Sequence, residues 1–400
     1  MIFQPFIEKD LGHISYVIAD NNEAIIIDPR RDIDEYIRFL TKNNLNLKYI
    51  INTHTHADYI GGHLELIDIY PYAKNIFQKD VPAKFDFIKV KEKDIFNIGN
   101  LKFKILETPG HTPFCISILV EENNIDKYIF TGDSLFVGDI GRPDLLGDEK
   151  LDELLELSYK SANKLWNLKD DIIVFTSHME GSLCGKNLSN SYFSTIGIEK
   201  QTNNIFRLSQ NKRLYIKNLL NQKIETPNYF KKMAFINIKG PKLLKTLSIQ
   251  YVSDLNNIKE NTYLVDLRHP DVFKNGFIAN SINIYEKSNI YLLVGSLLDI
   301  NSNICLIIDE NINIENNIKK FRNIGFDNTI LIFNIKNHSN KLKKVKKFKC
   351  NKIKEINLEL YTINEILNYP FKKDICYLFK CKNGYKSSVI KSYFKNYMMI

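Results

Sequence analysis

The chain has 400 residues, 44% apolar and 25% charged, proportions of a soluble globular protein with room for two or three domains. No stretch reaches the roughly 18 uninterrupted apolar residues of a membrane helix. Met1-Ile2-Phe3-Gln4-Pro5 has neither the basic start nor the apolar segment of a secretory leader, and six cysteines scattered without a framework predict reduced thiols in a cytoplasm. The net charge of +9 is uneven: residues 336–400 hold 16 lysines against 4 acids, leaving residues 1–335 at −3. The basic run Lys341–Lys347 reads as a solvated linker, because no aromatic interleaving or recognition helix accompanies it, and no nucleic-acid partner is expected.

Residues 12–29 read as a hairpin, Gly12–Ile18 and Glu23–Pro29 turning at Asp20-Asn21-Asn22. His13 is expected to be a packed strand histidine, and Asp28, closing its strand, to tie a turn. Asp32 is placed to cap a helix over Ile33–Leu40, whose Ile33, Ile37 and Leu40 share a face. The run Lys48–Asn52 is short, β-branched and aromatic, so it predicts a buried strand. It delivers Thr53-His54-Thr55-His56-Ala57-Asp58-Tyr59-Ile60-Gly61-Gly62, after which His63–Tyr70 has helical spacing.

Three of the eight histidines fall within residues 54–63. Three more strands end in a candidate metal ligand: Leu101–Leu106 before Thr108-Pro109-Gly110-His111, Lys127–Phe130 before Thr131-Gly132-Asp133, and Ile172–Phe175 before Thr176-Ser177-His178. Strand ends are where α/β sheets place chemistry, and four such ends point to a metal centre. Further on, Arg142 is a fixed cation that could hold an anionic thiolate or carboxylate, or pair with Asp139 or Asp144. Cys184, flanked by glycine and near Lys186, could be a reactive thiol or a buried inert one.

HxHxD, then PGH, then GD, then a last histidine, resembles the metallo-β-lactamase superfamily, which implies an αββα sandwich. Most members read HxHxDH and bind two zinc ions; Tyr59 stands here where the second-site histidine would be, and a phenol with a pKa near ~10 is a poor zinc ligand at neutral pH. The stretches Gly132-Asp133-Ser134-Leu135-Phe136-Val137-Gly138-Asp139-Ile140-Gly141-Arg142-Pro143-Asp144-Leu145 and Gly181-Ser182-Leu183-Cys184-Gly185-Lys186 resemble the persulfide dioxygenases of that superfamily that are fused to rhodanese domains. This resemblance implies one Fe(II) per chain on His54, His111 and Asp133, with zinc as the alternative metal. His56, Asp58, Tyr59 and His178 would surround it or mark the second metal position, and Arg142 and Cys184 would line the substrate pocket. It implies a small-molecule persulfide and dioxygen as substrates, a thiol or sulfite as sulfur acceptor, and a homo-oligomer. Met179-Glu180 departs from the small residues of that branch.

The second half carries a further resemblance. Asp266-Leu267-Arg268 and Phe273–Ile284 are similar to the opening of a rhodanese domain, but the strand Asn303–Ile308 delivers Asp309-Glu310-Asn311 where a sulfur-carrying cysteine would stand, which implies an inactive domain. Cys381-Lys382-Asn383-Gly384-Tyr385-Lys386-Ser387, between a strand Asp374–Lys380 and a helix Val389–Tyr397, resembles the rhodanese CxxGxRS loop. The expected organisation is therefore a metallo-β-lactamase-like domain at 1–245, a rhodanese-like domain at 246–335, and a linker with a partial rhodanese-like segment at 336–400 that carries Cys381.

Overall fold

The structure, a computed structural model, describes residues 1–145, 147–221, 226–227, 229–338, 342–343, 353–358, 361–371, 376–381 and 385–393. Lys382, Asn383, Gly384, most of the run 341–347 and the expected helix beyond 393 lie outside these residues. The chain divides into one compact unit of 1–226 with 230–241 and a second of 227–229 with 242–400.

The first unit is two six-stranded sheets. One runs in order β1 (Ile2–Glu8), β2 (His13–Asp20), β3 (Glu23–Ile27), β4 (Asn46–Ile51), β5 (Lys74–Gln78), β6 (Ile88–Val90). The other contains β7 (Ile95–Ile98), β8 (Leu101–Glu107), β9 (Ile116–Glu122), β10 (Ile125–Phe130), β11 (Ile173–Phe175) and β12 (Phe193–Thr195), again adjacent in sequence order. Alternation within the strands builds three apolar layers, since successive side chains face opposite ways. Ile14, Tyr16, Ile18, Ile25, Ile27 and Ile51 face Phe103, Ile105, Ile118, Phe130 and Phe175 between the sheets. Val17, Ala19, Ile26 and Ile50 point outward onto Tyr36 and Leu40 of α1 (Asp34–Lys42) and Leu66 of α2 (His63–Ile69). Leu119, Ile129 and Val174 do the same onto α3 (Leu151–Trp166), α4 (Ile196–Thr202), α5 (Asn204–Leu208) and α6 (Lys212–Leu220). Helices thus cover both outer faces, the αββα sandwich. α7 (Tyr229–Lys239) follows. The cap expected at Asp32 falls instead on Ile33, whose side chain makes no capping bond.

Topology gathers the strand ends. β3 and β4 are parallel, and so are β10 and β11. β8 and β10 both run antiparallel to β9 and so point the same way. The C-terminal ends of β3, β4, β8, β10 and β11 therefore open onto one rim. Backbone bonds close it: Thr53 O accepts Ile116 N–H at 2.8 Å, and Ser177 O accepts Ile14 N–H at 2.8 Å.

The second unit holds a five-stranded parallel sheet in order β13 (Ile249–Val252), β17 (Ile330–Asn334), β16 (Asn303–Ile308), β14 (Thr262–Asp266), β15 (Ser281–Asn283). α8 (Pro270–Asn275), α9 (Ile290–Leu297) and α10 (Ile314–Asn323) connect its strands. A parallel pair, β18 (Ile353–Asn357) and β19 (Cys376–Lys380), is joined to it through α11 (Ile363–Leu367) and α12 (Tyr385–Tyr393). The described elements of 336–400 fall in the same compact unit as that sheet. Asn283 on β15 donates its backbone N–H to Ser392 Oγ at 2.9 Å and accepts from the Ser388 hydroxyl, and Phe277 pairs with Lys343. The described C-terminal elements have an apolar cluster of their own, Ile356, Leu358, Ile366, Tyr377, Phe379 and Ile390, and these polar contacts tie them to the five-stranded sheet within one compact unit.

Candidate metal centre

At the rim, His54, His111 and Asp133 each offer one ligand atom, and these atoms lie within 4.8 Å of one another. All three side chains are buried. The sequence fixes them locally through the backbone that carries them. Gly132 adopts φ +53°, and a Cβ there would sit 2.4 Å from Thr53 Oγ1; a Cβ on Gly141 would sit 1.9 Å from Asp133 O. Side chains at either position would push the Asp133 turn off the rim.

The hydrogen bonds determine which nitrogens face inward. His111 Nδ1 donates to Arg142 O at 2.8 Å, since a carbonyl can only accept. Thr53 Oγ1 donates to Asp28 Oδ2 at 2.8 Å, which leaves it to accept His54 Nδ1–H at 2.9 Å. Both rings therefore present a bare Nε2, at 3.7 and 3.2 Å from Asp133 Oδ2. Burial holds His54 well below the ordinary imidazole pKa and also lowers His111. Asp133 stays ionised: burial would raise it, but His178 beside it outweighs that and brings it well below the usual range. Three lone pairs and one negative charge converge in a buried place, and Asp133 Oδ2 has no hydrogen-bond partner among the described residues. Such a set repels itself unless a cation stands among its members, so these residues fit a divalent metal.

The surrounding residues orient this set. His178 Nδ1 meets Asp133 Oδ1 at 2.8 Å and its Nε2 meets Asp58 Oδ2 at 2.9 Å. Although burial opposes it, the carboxylates of Asp133 and Asp58 raise the His178 pKa well above normal. It thus stands as an imidazolium between two carboxylates. His56 Nε2 meets Asp28 Oδ1 at 3.1 Å, while its Nδ1 is buried with no partner among the described residues. Asp28, expected only to tie a turn, also accepts from Thr53 N–H at 2.7 Å and Ser177 Oγ at 2.7 Å, and so joins three strand ends. Tyr59 stacks on His56 with ring centroids 4.5 Å apart, and its hydroxyl lies 2.7 Å from His13 Nε2 and 3.3 Å from Asp28 O. Burial raises the phenol pKa well above normal, which keeps it neutral. His13, expected merely to pack, is the group that receives Tyr59.

For two expected pocket residues the structure bears on the alternatives left open. The Arg142 guanidinium is buried and forks onto Asp144, with Nε to Oδ1 at 2.6 Å and an Nη to Oδ2 at 2.7 Å. The structure selects the ion pair, and what Arg142 gives the centre is its backbone carbonyl. Cys184 lies within ligand distance of Asp58 and His178 but is 1% exposed, and burial pushes its thiol up to about 12, so it is not an ionised, reactive thiol. In the second unit, Cys381 is half-buried at the end of β19; its Sγ accepts Ser387 N–H at 3.4 Å from the first turn of α12. The residue that sequence reasoning missed altogether is Asn237, on α7, which bonds the backbone of the His54–Gly62 loop.

A family profile described as the metallo-beta-lactamase superfamily matches residues 10–178. A hydroxyacylglutathione hydrolase 1 from Vibrio vulnificus is 30% identical over 250 residues, which cover 56% of this chain and 94% of that enzyme. A hydroxyacylglutathione hydrolase from Francisella tularensis subsp. novicida is 31% identical over 43% of this chain, and the match spans 65% of that enzyme's length. Among solved structures, a metallo-beta-lactamase from Staphylococcus aureus subsp. aureus COL aligns with TM-score 0.75 and 30% identity, covering 84% of this chain and 99% of that one. ETHE1 from Myxococcus xanthus aligns with TM-score 0.51 and 26% identity, covering 59% and 98%. The sandwich, the rim of histidines and acids, and relatives at 30% identity matched over nearly their whole length converge: this chain belongs to the metallo-β-lactamase superfamily.

Proposed function

We propose that this protein is a mononuclear Fe(II) persulfide dioxygenase, oxidising a low-molecular-weight persulfide such as glutathione persulfide to sulfite. The observation that carries this reading is the one-sided ligand set of His54, His111 and Asp133 beside a Tyr59 whose hydroxyl is turned onto His13. Two histidines and one carboxylate on one face suit iron that must keep positions open for substrate and oxygen. The GDSLFVGDIGRPDL and GSLCGK wording supports the same branch of the superfamily.

The balanced reaction is persulfide plus dioxygen plus water giving thiol plus sulfurous acid; the outer sulfur loses four electrons and dioxygen accepts them. Bound Fe(II) would supply the Lewis acidity and one-electron chemistry that dioxygen requires. The chain's own work is positional. Thr53 and the Arg142 carbonyl fix the two histidine tautomers, His178 holds Asp133 in place, and the buried Phe136 ring packs edge-on to His178. Arg142, paired with Asp144, is not assigned to the substrate. We further read the second unit as rhodanese-like, with Cys381 taking the outer sulfur of a persulfide and passing it to sulfite as thiosulfate or to a thiol. We place the protein in the cytoplasm as a homo-oligomer; among the described residues no helix is long and apolar enough to cross a membrane.

A zinc hydrolase acting on a glutathione thioester is the second reading. It is favoured by the hydroxyacylglutathione hydrolase relatives and by the unpartnered Nδ1 of His56, which could add another ligand. One experiment separates them. Anaerobically purified protein is analysed for metal, then given glutathione persulfide while oxygen and sulfite are followed. One iron per chain with matched oxygen loss and sulfite release is expected. Two zinc ions per chain, no oxygen uptake and thioester cleavage would establish the hydrolase instead.

A further inference from the structure

The loop from Thr53 to Gly62 is buried throughout, so each of its backbone groups needs a partner. One flank is fixed by the segment after β3: Ile60 O accepts Arg31 N–H at 3.0 Å, and Pro29 O accepts Gly62 N–H at 2.8 Å. The other flank is held by a single side chain far away in sequence. Asn237 Oδ1 accepts Gly61 N–H at 2.9 Å, and Asn237 Nδ2 donates to both His56 O and Tyr59 O at 2.8 Å. Both amide hydrogens are used, and the three bonds span the turn that carries His56, Asp58 and Tyr59.

Asn237 belongs to the inward stripe of α7, with Phe230, Met233 and Ala234 at helical spacing, and is 5% exposed. A polar residue in an otherwise apolar stripe is unfavourable unless fully bonded. Here the bonds go to the metal loop and not to its own helix. The end of α7 is itself anchored, because Ile238 O accepts Lys84 N–H at 3.0 Å.

We propose that Asn237 is a positioning residue for the metal centre: it clamps the His56–Gly61 turn so that His54, just before it, keeps its aim at Asp133. The inference rests on the metal-centre reading but not on which reaction follows. Removing an outer partner of a metal site weakens binding by roughly 10- to 100-fold.

The test uses the full chain, stripped of metal and titrated with Co(II), following affinity and the visible ligand-field bands. Asn237→Leu keeps shape and the apolar stripe but removes all three bonds. It is expected to fold with a near-native circular dichroism spectrum, bind Co(II) at least roughly tenfold more weakly, and show shifted bands. Met233→Ala, a packing change on the same stripe, is expected to lower the melting temperature and leave Co(II) affinity and bands unchanged. Should the leucine variant not fold, Asn237→Asp, which keeps size and the Gly61 bond, is read for the same loss of affinity. Parental affinity and bands in the Asn237 variant that folds overturn the inference, and so does an equal loss of affinity in Met233→Ala. Parent protein that binds no Co(II) overturns the metal-centre reading and this inference together.

Discussion

His111 illustrates how little freedom the central side chains have. Its Nδ1 is committed to a carbonyl, so the lone pair on Nε2 has one direction, toward Asp133. His111→Ala should reduce bound iron and oxygen uptake to background, measured by metal analysis and an oxygen electrode. Tyr59 is the reciprocal case. Replacing it with histidine puts an imidazole beside His56 and His13, and zinc-loaded Tyr59→His should rise toward two metals per chain where the parent holds one. That variant leaves buried His13 without its hydroxyl partner, a loss of about 1–3 kcal/mol in urea unfolding. At Cys381 the expected outcome separates the two units: Cys381→Ser should keep full oxygen uptake and lose thiosulfate formation. Loss of oxygen uptake in that variant would show that the sulfur chemistry is not divided as proposed.

Among the elements, strands were the most legible in the sequence and their connections the least. Alternation in Ile14–Ala19 and Ala24–Ile27 specified two buried faces, and the short apolar run Tyr49–Ile51 marked a strand covered on both sides. The cap on α1 was misplaced because an aspartate before an apolar run is a signal of propensity, and the backbone around Ile33 is set by tertiary bonds to the neighbouring loop. The turn after β10 shows a similar dependence on the third dimension. Gly141 has no left-handed φ to betray it, yet a methyl group there would lie 1.9 Å from Asp133 O. Gly141→Ala should therefore be strongly destabilising, by ~4 kcal/mol or more, or fail to fold; urea unfolding beside an alanine change at an open glycine checks this.

Over the whole first unit, stability should carry an acid signature from a histidine outside the metal centre. His63 packs at 5.3 Å from Phe77 and 4.8 Å from Phe85, and neither ring nitrogen has a partner among the described residues. Burial brings its pKa from 6.5 down to about 3. Because the folded value lies below the unfolded one, the native state resists the proton. The stability from keeping His63 neutral is complete above pH 6.5 and is lost as pH falls toward 3, at ~1.4 kcal/mol per unit. His63→Phe, which suits its aromatic neighbours, should remove ~2 kcal/mol of the fall in unfolding free energy between about pH 6.5 and 5, measured on metal-free protein at both pH values. An unchanged pH slope would show that His63 is solvated. In the second unit, the folding of β18, β19, α11 and α12 into one body with the five-stranded sheet was illegible, because those segments are short and their contacts are made to strands a hundred residues earlier in the chain.

Sequence by itself determined the sandwich, the strand ends that carry His54, His111, Asp133 and His178, and the odd tyrosine at position 59. Those features are local: side-chain periodicity and residue type at a strand terminus need only a few neighbours to be read. Tertiary structure decided which nitrogen of each histidine faces Asp133, that Arg142 pairs with Asp144, that Tyr59 is received by His13, and that Asn237 holds the metal loop. Hydrogen-bond direction depends on partners brought together across 31 to 178 residues of chain in His111–Arg142 and Asn237–Tyr59. No pattern along the sequence encodes that meeting until the two sheets close on each other.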